Sequence, residues 1–530
     1  MLIHSRNLGQ VSSHPSNNRS YATFPRFLSK VSMRRQWVFE TLDTTTTTLL
    51  RSNIFNRTLE LEKLKSAVKG DPSQILVVLG PRSCGKTALM SSHFSKRLDA
   101  VYINCREFDA TTPQYFVKKV LKVLMDKIPT DWEQLKMSLP PKIVAGLASA
   151  FESTMKGAEM TSWTFSLSEL VKSIMSGDPE KYKELDMNVL MEAFQLLLDA
   201  WEKEIIKESR GIDPGEIMRR PVIVIDEANV MMGWNKDYAK DMGTLIRFFV
   251  SITKEKKRSH VFLVTSEYGY QTWLSEAIAS EFWKPRIIGD FTKSEAKSFF
   301  EFELKRRRKV VTVTDEIWSQ IYEVCGGNAG TLVNLAYEVE DSGDDLNSKW
   351  EEALESMYLN TELPRLKKLA LGVDGVYTAA QFADATLLML SSQHFAVPQD
   401  AMLEHLGRHD YALDIQGDNT PSQTQLRSAG QKRFEGLVKY NVLCLRPYSD
   451  WALDIPLQAY SGPKKLALVT PSSALALYCL KLMKPDLIRD LTEWKQKQAS
   501  KAWYNKLKDL LAGLAGFATM REEAVKDKRK

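Results

Sequence analysis

The chain has 530 residues, of which 44% are hydrophobic and 26% charged, a balance typical of soluble globular proteins with roughly two to four domains. Its net charge of +6 is small for this length and does not by itself indicate nucleic-acid binding. No apolar run reaches the roughly 18 residues of a membrane span, so we expect no transmembrane segment. The five cysteines are scattered and odd in number, which excludes a zinc ribbon and favours a reducing compartment.

The first forty residues differ in composition from the rest of the chain. They carry five arginines, one lysine and many serines but no Asp or Glu through Phe39, which is typical of an organelle transit peptide. Arg19-Ser20-Tyr21-Ala22 resembles a site cut by the mitochondrial matrix peptidase. We therefore expect residues 1–40 to be a disordered leader to the mitochondrial matrix, with a plastid leader or a cytoplasmic tail as alternatives. The threonine run at 44–48 looks like a linker.

Residues 80–87 match the phosphate-binding pattern G-x-x-x-x-G-K-[ST] at every position. They are Gly80, Pro81, Arg82, Ser83, Cys84, Gly85, Lys86 and Thr87. A predicted strand precedes them at 75–79 and a predicted helix follows, which is the context that the motif requires. We expect the loop amides to bind phosphates, Lys86 to reach the β- and γ-phosphates, and Thr87 to ligate Mg²⁺. The alternatives are a chance match on a surface loop and a loop that binds nucleotide without chemistry.

Cys84 lies inside this loop. Lys86 and the helix dipole would lower the pKa of its thiol and make it a redox-sensitive group. We favour the other interpretation, a small side chain tolerated at a variable loop position.

Further strands and helices are predicted along the chain. Residues 100–104 form a predicted strand, and apolar residues recur at helical spacing in 115–128 and 187–206. Residues 145–164 are rich in small residues and show little periodicity, so we expect a mobile segment that could contact a client.

The strand predicted at 221–225 is too apolar for a sheet edge and ends in Asp226-Glu227. Asp226 is placed to hold Mg²⁺, directly or through water, and Glu227 to act as general base on the attacking water. Two acids at this position favour hydrolysis over phosphoryl transfer to a metabolite. The alternative is a turn with two solvated acids.

Another strand is predicted at 260–264 and ends in the hydroxyls of Thr265 and Ser266. If it lies between the two strands above, one of these hydroxyls, with Ser266 our choice, faces the γ-phosphate or the attacking water. A simple cap at the strand end is the alternative.

Five consecutive basic residues occupy 305–309 after a predicted helix at 294–304. They could grip a phosphate backbone or an acidic partner. We favour the solvated C-terminal end of a helix, because its dipole attracts cations and no aromatic residues interleave.

The last third contains a winged-helix-like pattern at 376–460. Helices are predicted at 379–391, 398–406 and 422–440, followed by a hairpin of 442–447 and 451–455 around Tyr448-Ser449-Asp450. The third helix is only weakly basic, so DNA binding is open but not favoured. Residues 466–480 are predicted to be a turn and a buried helix, and 486–530 a charged helix that either packs on this unit or forms an assembly contact.

Two further segments carry a family resemblance. Residues 54–64 are similar to the F-x-x-R-x-x-E-L-x-x-L helix that opens archaeal-type ATPases of the AAA+/STAND class, with Ile54 in place of phenylalanine. Residues 326–332 are similar to the GG-x-P-x-x-L turn of their helical lid, with Ala329 in place of proline and no arginine after it. These two segments, the phosphate loop and the predicted strands occur in the same order as in this family. The resemblance covers roughly residues 50–345.

The resemblance implies an α/β fold in which a P-loop NTPase sheet of five parallel strands, with the hydroxyl-ended strand central, is followed by a helical lid and an α-rich winged-helix domain. The boundaries we predict are 41–290 for the ATPase core, 291–350 for the lid, 351–460 for the winged-helix-like domain and 461–530 for a C-terminal helical segment. Arg286, just before the lid, is a candidate arginine finger acting in trans. Arg57 is a candidate nucleotide contact. A surface charge is the alternative for each.

These observations predict a slow ATPase that binds Mg-ATP and acts as a switch or assembly platform. Its catalytic residues would be Lys86, Glu227, Ser266 and Arg286, and its metal ligands Thr87 and Asp226. A protein client and a homo-oligomer are expected partners. The alternatives are an ATP-regulated DNA-binding protein and an adaptor that holds ATP without turnover.

Overall fold

The computed structural model describes residues 55–108, 110–127, 187–208, 220–234, 237–307, 313–341, 346–411, 421–460 and 466–527. The predicted leader at 1–40, the threonine run, the segment 145–164 and the basic residues 308 and 309 lie outside these ranges.

A five-stranded parallel sheet organises the first half of the chain. Its strands are β1 Ile75–Leu79, β2 Ala100–Asn104, β3 Val222–Asp226, β4 His260–Val264 and β5 Trp283–Ile287. Their order across the sheet is β2-β3-β4-β1-β5, so the hydroxyl-ended strand β4 is central, as predicted. The register pairs Asn104 with Asp226 and Asp226 with Val264, which brings the carboxyl ends of these strands to one edge.

Helices cover both faces of the sheet. They are α1 Thr58–Ala67, α2 Lys86–Phe94, α3 Pro113–Lys127, α4 Met187–Glu208, α5 Ala239–Val250 and α6 Tyr270–Ala277. Successive strand residues point to opposite faces. Ile223 and Ile225 therefore pack in the core that contains α3, α4 and α5, while Val222 and Val224 pack in the core with α1 and α2. The apolar stripe predicted at 187–206 is core, as expected.

The helical lid has its own core around Phe300, Trp318 and Leu335. It contains α7 Lys293–Arg306, α8 Asp315–Cys325, α9 Ala329–Asp341 and α10 Leu346–Met357. Thr292 and Glu295 form a capping box that starts α7. At the other end of α7, the Arg307 guanidinium lies on the Tyr337 ring, so this part of the basic run packs on the lid.

Residues 363–527 form what we call the C-terminal unit. Its helices are α11 Leu363–Ala370, α12 Ala379–Ser391, α13 Gln399–Tyr411, α14 Gln423–Lys439 and α15 Ala474–Asp527, and its strands are β6 Gly372–Val373, β7 Tyr377–Thr378, β8 Val397–Pro398, β9 Leu443–Arg446 and β10 Leu468–Pro471. The three predicted helices are present. The order helix, strand, two helices and two strands from α12 to β10 is the one expected of a winged helix.

The predicted second wing strand is wrong. β9 pairs antiparallel with β10, whose residues we had assigned to a turn, and β10 pairs in turn with β8. Residues 451–455 form no strand because Trp451 is instead buried against the ATPase sheet, in the core that contains Ile288 and Val78.

In the described part of the chain, no helix is both long enough and apolar enough to cross a bilayer.

Candidate functional site

The loop at 80–87 connects β1 to α2 at the carboxyl edge of the sheet. Gly85 has φ +102°, a left-handed conformation that favours glycine, and it precedes the first turn of α2. The buried Lys86 ammonium donates to the carbonyls of Gly80 at 2.9 Å and Pro81 at 2.8 Å. Thr87 is exposed in the same turn, where the first amides of a helix have no partner within it. The loop therefore presents one ammonium, one hydroxyl and a helix N-terminus to the same region.

Cys84 is fully buried beneath the loop, and its thiol contacts the Ile288 carbonyl at 3.4 Å. Burial raises the pKa of this thiol and outweighs the nearby Lys86 charge. The alternative of a low-pKa, redox-sensitive thiol is therefore wrong.

Arg57 contacts the backbone of the phosphate loop. Its guanidinium donates to the Cys84 carbonyl at 2.6 Å and to Glu60 at 2.6 Å. It also lies 4.1 Å from the centre of the Phe291 ring, at the start of the lid. Because the residue is only 5% exposed, the surface-charge alternative is wrong, and Arg57 connects α1, the phosphate loop and the lid.

Asp226 and Glu227 lie at the end of β3. Asp226 is 1% exposed and accepts from the Tyr102 hydroxyl at 2.6 Å and from the Glu227 amide at 2.9 Å. Burial raises the pKa of the tyrosine hydroxyl, which therefore stays protonated as a donor. A turn with two solvated acids is excluded for Asp226.

Glu227 is held more loosely than Asp226. It has φ +58°, a strained conformation for a residue with a side chain, and its carboxylate pairs with Arg106 at 2.7 Å. Burial raises the pKa of Glu227, and the Arg106 charge opposes that rise. A raised pKa moves a carboxylate toward the range in which it accepts a proton efficiently near neutral pH.

The two hydroxyls after β4 have different environments. Thr265 is buried, where its hydroxyl donates to the Asn229 amide oxygen at 3.2 Å and accepts from the Glu267 amide at 3.0 Å. Ser266 lines an open cavity together with Ser83 of the loop. Ser266 is thus the hydroxyl available to a ligand.

The lid turn lies directly on the phosphate loop. The Asn328 side-chain amide donates to the Arg82 carbonyl and to the Asp290 carboxylate, both at 2.9 Å, and the Gly330 amide donates to the Ser83 carbonyl at 3.0 Å. Arg82 itself pairs with Glu267. A ligand that displaces the loop backbone would therefore also displace the lid turn or break these hydrogen bonds.

A short segment of the C-terminal unit, residues 449–454, lies along the edge strand β5; we call it the clasp. The Ser449 hydroxyl accepts from the Ile287 amide at 3.0 Å, and Asp450 pairs with Arg286 at 3.3 Å and with Lys63 at 2.8 Å. The Arg286 guanidinium lies 5.3 Å from the Trp451 ring centre. Arg286 is therefore engaged within its own chain, and its role in trans stays a prediction.

The far end of the clasp reaches the hinge between sheet and lid. Asp454 forms a buried ion pair with Arg446 at 2.7 Å and accepts from the Asp290 amide at 3.2 Å. A Cβ atom on Gly289 would lie 2.2 Å from the Asp454 carboxylate, so glycine is required for this approach. The Asp290 carboxylate accepts from Asn328, and Asn328 also donates to the phosphate loop. Asp290 and Asn328 together therefore connect the clasp to the loop.

Sequence reasoning missed Tyr102, Arg106, Asn328 and Asp290 as site residues. Asn328 had a local signal, because it is the polar residue within the glycine turn. The other three contribute through partners far away in the chain, which no local pattern reveals.

The residues present fit a magnesium nucleotide. Lys86 bonds to carbonyls that it can exchange for phosphate oxygens, and the α2 N-terminus favours anions. Asp226 and Thr87 provide the carboxylate and hydroxyl oxygens that Mg²⁺ prefers, with water completing the shell.

Comparisons with known proteins support ATP binding. A family model described as an ATPase domain predominantly from Archaea matches residues 54–335, more than half of the chain. An uncharacterized ATP-binding protein of Methanocaldococcus jannaschii is 23% identical over 415 residues, which cover 75% of this chain and 94% of that protein. Another, from Pyrococcus abyssi, is 29% identical over 252 residues, covering 47% of this chain and 63% of that protein.

Two solved structures are also similar. A Walker-type ATPase of Pyrococcus abyssi aligns with 81% of this chain and 97% of its own at 16% identity and a TM-score of 0.46. The ORC2 protein of Aeropyrum pernix, in ADPNP and ADP complexes, aligns with 82% of this chain and 95% of its own at 11% identity and a TM-score of 0.33.

Proposed function

Because the chain belongs to the family of ATPase domains found predominantly in Archaea, we propose that it binds Mg-ATP at the loop 80–87 and hydrolyses it slowly. The observation that carries the proposal is the position of Asp226 at the end of β3 and of Glu227 just after it, at the same edge of the sheet as the loop and separated from β1 by β4 alone. Asp226 is held by Tyr102, and Glu227 is only partly buried. Asp226 and Thr87 would hold Mg²⁺, which neutralises phosphate charge. Glu227 would accept the proton of the attacking water.

The remaining groups position the phosphates. Lys86 would transfer its hydrogen bonds from the loop carbonyls to the β- and γ-phosphates, and Ser266 would orient the water or the γ-phosphate. Because Asn328 and Gly330 bond to the loop carbonyls, we propose that occupancy by the γ-phosphate moves the lid and makes the protein a switch or assembly platform.

A second candidate is an adaptor that binds ATP without turnover. The ion pair between Glu227 and Arg106 favours it, because a paired carboxylate is a weaker base. DNA binding is less favoured. Arg427 and Arg433 of α14 are paired with Glu404 and Asp410, so these two arginines are not free to contact a phosphate backbone.

Steady-state ATP hydrolysis over a series of protein concentrations separates the candidates. We expect Lys86→Ala to lose ATP binding, and Glu227→Gln to keep binding while losing about 100-fold or more of turnover. The exposed Glu281→Gln is the matched control and should retain full activity. Turnover that rises faster than protein concentration would support a homo-oligomer with a composite site. ATP binding with no turnover above the Glu227→Gln rate would leave the adaptor.

We also propose that the protein acts in the mitochondrial matrix with a protein client. The support is the acid-free composition of residues 1–39. A fluorescent fusion of residues 1–40 that stays in the cytoplasm would contradict this location.

A further inference from the structure

A cavity of about 790 Å³ lies between the phosphate loop, the lid and the C-terminal unit. One wall consists of loop residues Pro81, Arg82 and Ser83 with Ser266. A second wall is the start of α9, and the third comes from α11, the end of α14 and the start of α15. Because Ser83 and Ser266 belong to the site described above, the cavity opens beside the place proposed for the γ-phosphate.

The lining of the cavity is strongly positive. It includes four cations, Arg82, Arg365, Lys368 and Lys439, against the single acid Glu362. Arg82 and Arg365 are partnered by Glu267 and Glu362 respectively. Lys368 and Lys439 are exposed and make no ion pair in the described part of the chain. Two uncompensated ammonium groups on one wall indicate an anionic ligand.

Arg365 fixes the position of these two lysines. Its guanidinium pairs with Glu362 on its own helix and donates to the carbonyls of Tyr440 at 3.0 Å and Asn441 at 3.1 Å. Those carbonyls directly follow Lys439 at the end of α14, whereas Lys368 lies one turn after Arg365 on α11. The contact therefore connects α11 to the end of α14, the two elements that carry Lys368 and Lys439 in this wall.

Two other features point to a ligand at this place. The Tyr268 hydroxyl lies in the lining, is buried, and has no hydrogen-bond partner among the described residues. In addition, α9 contains no arginine or lysine between Ala329 and Asp341, so this lid helix offers no cation to a phosphate. The cations in the lining come from Arg82 of the loop, which Glu267 neutralises, and from the C-terminal unit.

We propose that the cavity receives the terminal phosphate of ATP, and that Lys368 and Lys439 of the C-terminal unit sense its charge within the same chain. The inference rests on the proposed ATP site and names the groups that distinguish ATP from ADP. The third phosphate of ATP brings negative charge to the mouth of the cavity, where it attracts Lys368 and Lys439. ADP lacks this phosphate and does not attract them. Loss of that phosphate would release the C-terminal unit from the loop.

The test measures the dissociation constants of Mg²⁺-ADP and of the Mg²⁺ complex of the β,γ-imido analogue of ATP by calorimetry on the full chain. We expect Lys368→Gln/Lys439→Gln to weaken binding of the analogue about tenfold while ADP binding changes less than about twofold, since hydrogen bonds to charged groups are the strong ones. The matched control is Lys367→Gln/Lys432→Gln, which removes the same charge from exposed positions on the same two helices outside the cavity. It should leave both constants unchanged.

Other outcomes overturn the inference. An unchanged ratio of the two constants in the double variant, or an equal loss for both nucleotides, would show that the lysines do not sense the third phosphate, while the proposed function would stand. Binding of inorganic phosphate to the ADP-saturated protein, abolished by the double variant with the ratio unchanged, would assign the cavity to a separate phosphate ligand. Failure of the wild type to bind either nucleotide would overturn both proposals.

Discussion

Asp290 shows how a single residue connects the sheet, the lid and the C-terminal unit. Its carboxylate accepts from Asn328, and its amide donates to Asp454. Burial, followed by the nearby Asp454 charge, raises the pKa of Asp290 from its ordinary value of 3.8 to about 6. The folded protein therefore holds this proton to a higher pH than the unfolded chain does.

We predict that Asp290→Asn flattens the pH dependence of stability. Because the pKa of Asp290 is higher in the folded protein than in the unfolded chain, protonated Asp290 adds to the free energy of unfolding at low pH. This addition is complete below about pH 4 and disappears as the pH rises through about 6. At about 1.4 kcal/mol per pKa unit, and discounted for partial exposure, the contribution is on the order of 2 kcal/mol. Urea unfolding from pH 4.5 to 7.5 measures it. Between these two pH values, the free energy of unfolding of the wild type should fall by about 2 kcal/mol more than that of the variant. Equal falls in the two proteins would contradict the role given to Asp290.

At this scale the sequence predicts residues that act through local motifs and misses those that act through distant partners. Lys86, Thr87 and Asp226 follow from a loop pattern and a strand end. Asn328 and Asp290 gain their roles only when the lid folds back onto the loop. A reactive Cys84 thiol could be rejected only from the structure, because its burial, which decides the pKa of the thiol, comes from tertiary packing.

Among the elements, the clasp has the least expected role, because it belongs to the C-terminal unit but packs as part of the ATPase domain. Trp451 is 2% exposed and lies in the same core as Ile288 and Val78. Ser449 satisfies the Ile287 amide at the edge of β5, where a neighbouring strand would otherwise do so.

We predict that Trp451→Ala destabilises the protein by about 3–5 kcal/mol, because removing a buried tryptophan creates a cavity beneath β5. Trp503→Ala is the matched control, since Trp503 on α15 is 67% exposed, and its effect should stay within about 0.5 kcal/mol. Urea denaturation followed by circular dichroism measures both. Equal effects of the two substitutions would show that the clasp contributes little to the core.

The clasp also explains why the wing was mispredicted. Trp451-Ala452-Leu453-Asp454-Ile455 is a short, mostly apolar run like a buried strand, but Trp451 packs on the ATPase sheet instead of on the C-terminal unit. The true partner of β9 is β10, and its Pro471 and adjacent serines had suggested a turn. By contrast, β1 to β4 were predictable because each is a short apolar run, a signal that depends little on its partners. The edge strand β5 contains Lys284, Pro285 and Arg286 and gave no such signal, so a fifth strand was expected only from the family resemblance.

Across the whole molecule, the phosphate loop is connected to the C-terminal unit at two places, the clasp and the wall of the positive cavity. Asn328, Asp290 and Asp454 connect the loop to the clasp, while the positive cavity places Lys368 and Lys439 opposite Ser83 and Ser266. A γ-phosphate bound at the loop would therefore act on the lid turn and on the C-terminal unit together. We propose that the third phosphate of ATP sets the arrangement of the lid and the C-terminal unit on the phosphate loop.

Hydrogen–deuterium exchange of the full chain tests this claim most directly, with the Mg²⁺ complexes of ADP and of the β,γ-imido analogue compared at saturation. The informative amides are those of Ile287, Asp290 and Gly330, which bond to Ser449, Asp454 and Ser83. We predict exchange at these amides at least several-fold slower with the analogue than with ADP, because the third phosphate draws the C-terminal unit toward the loop. Identical exchange in the two complexes, with both nucleotides bound, would contradict the account.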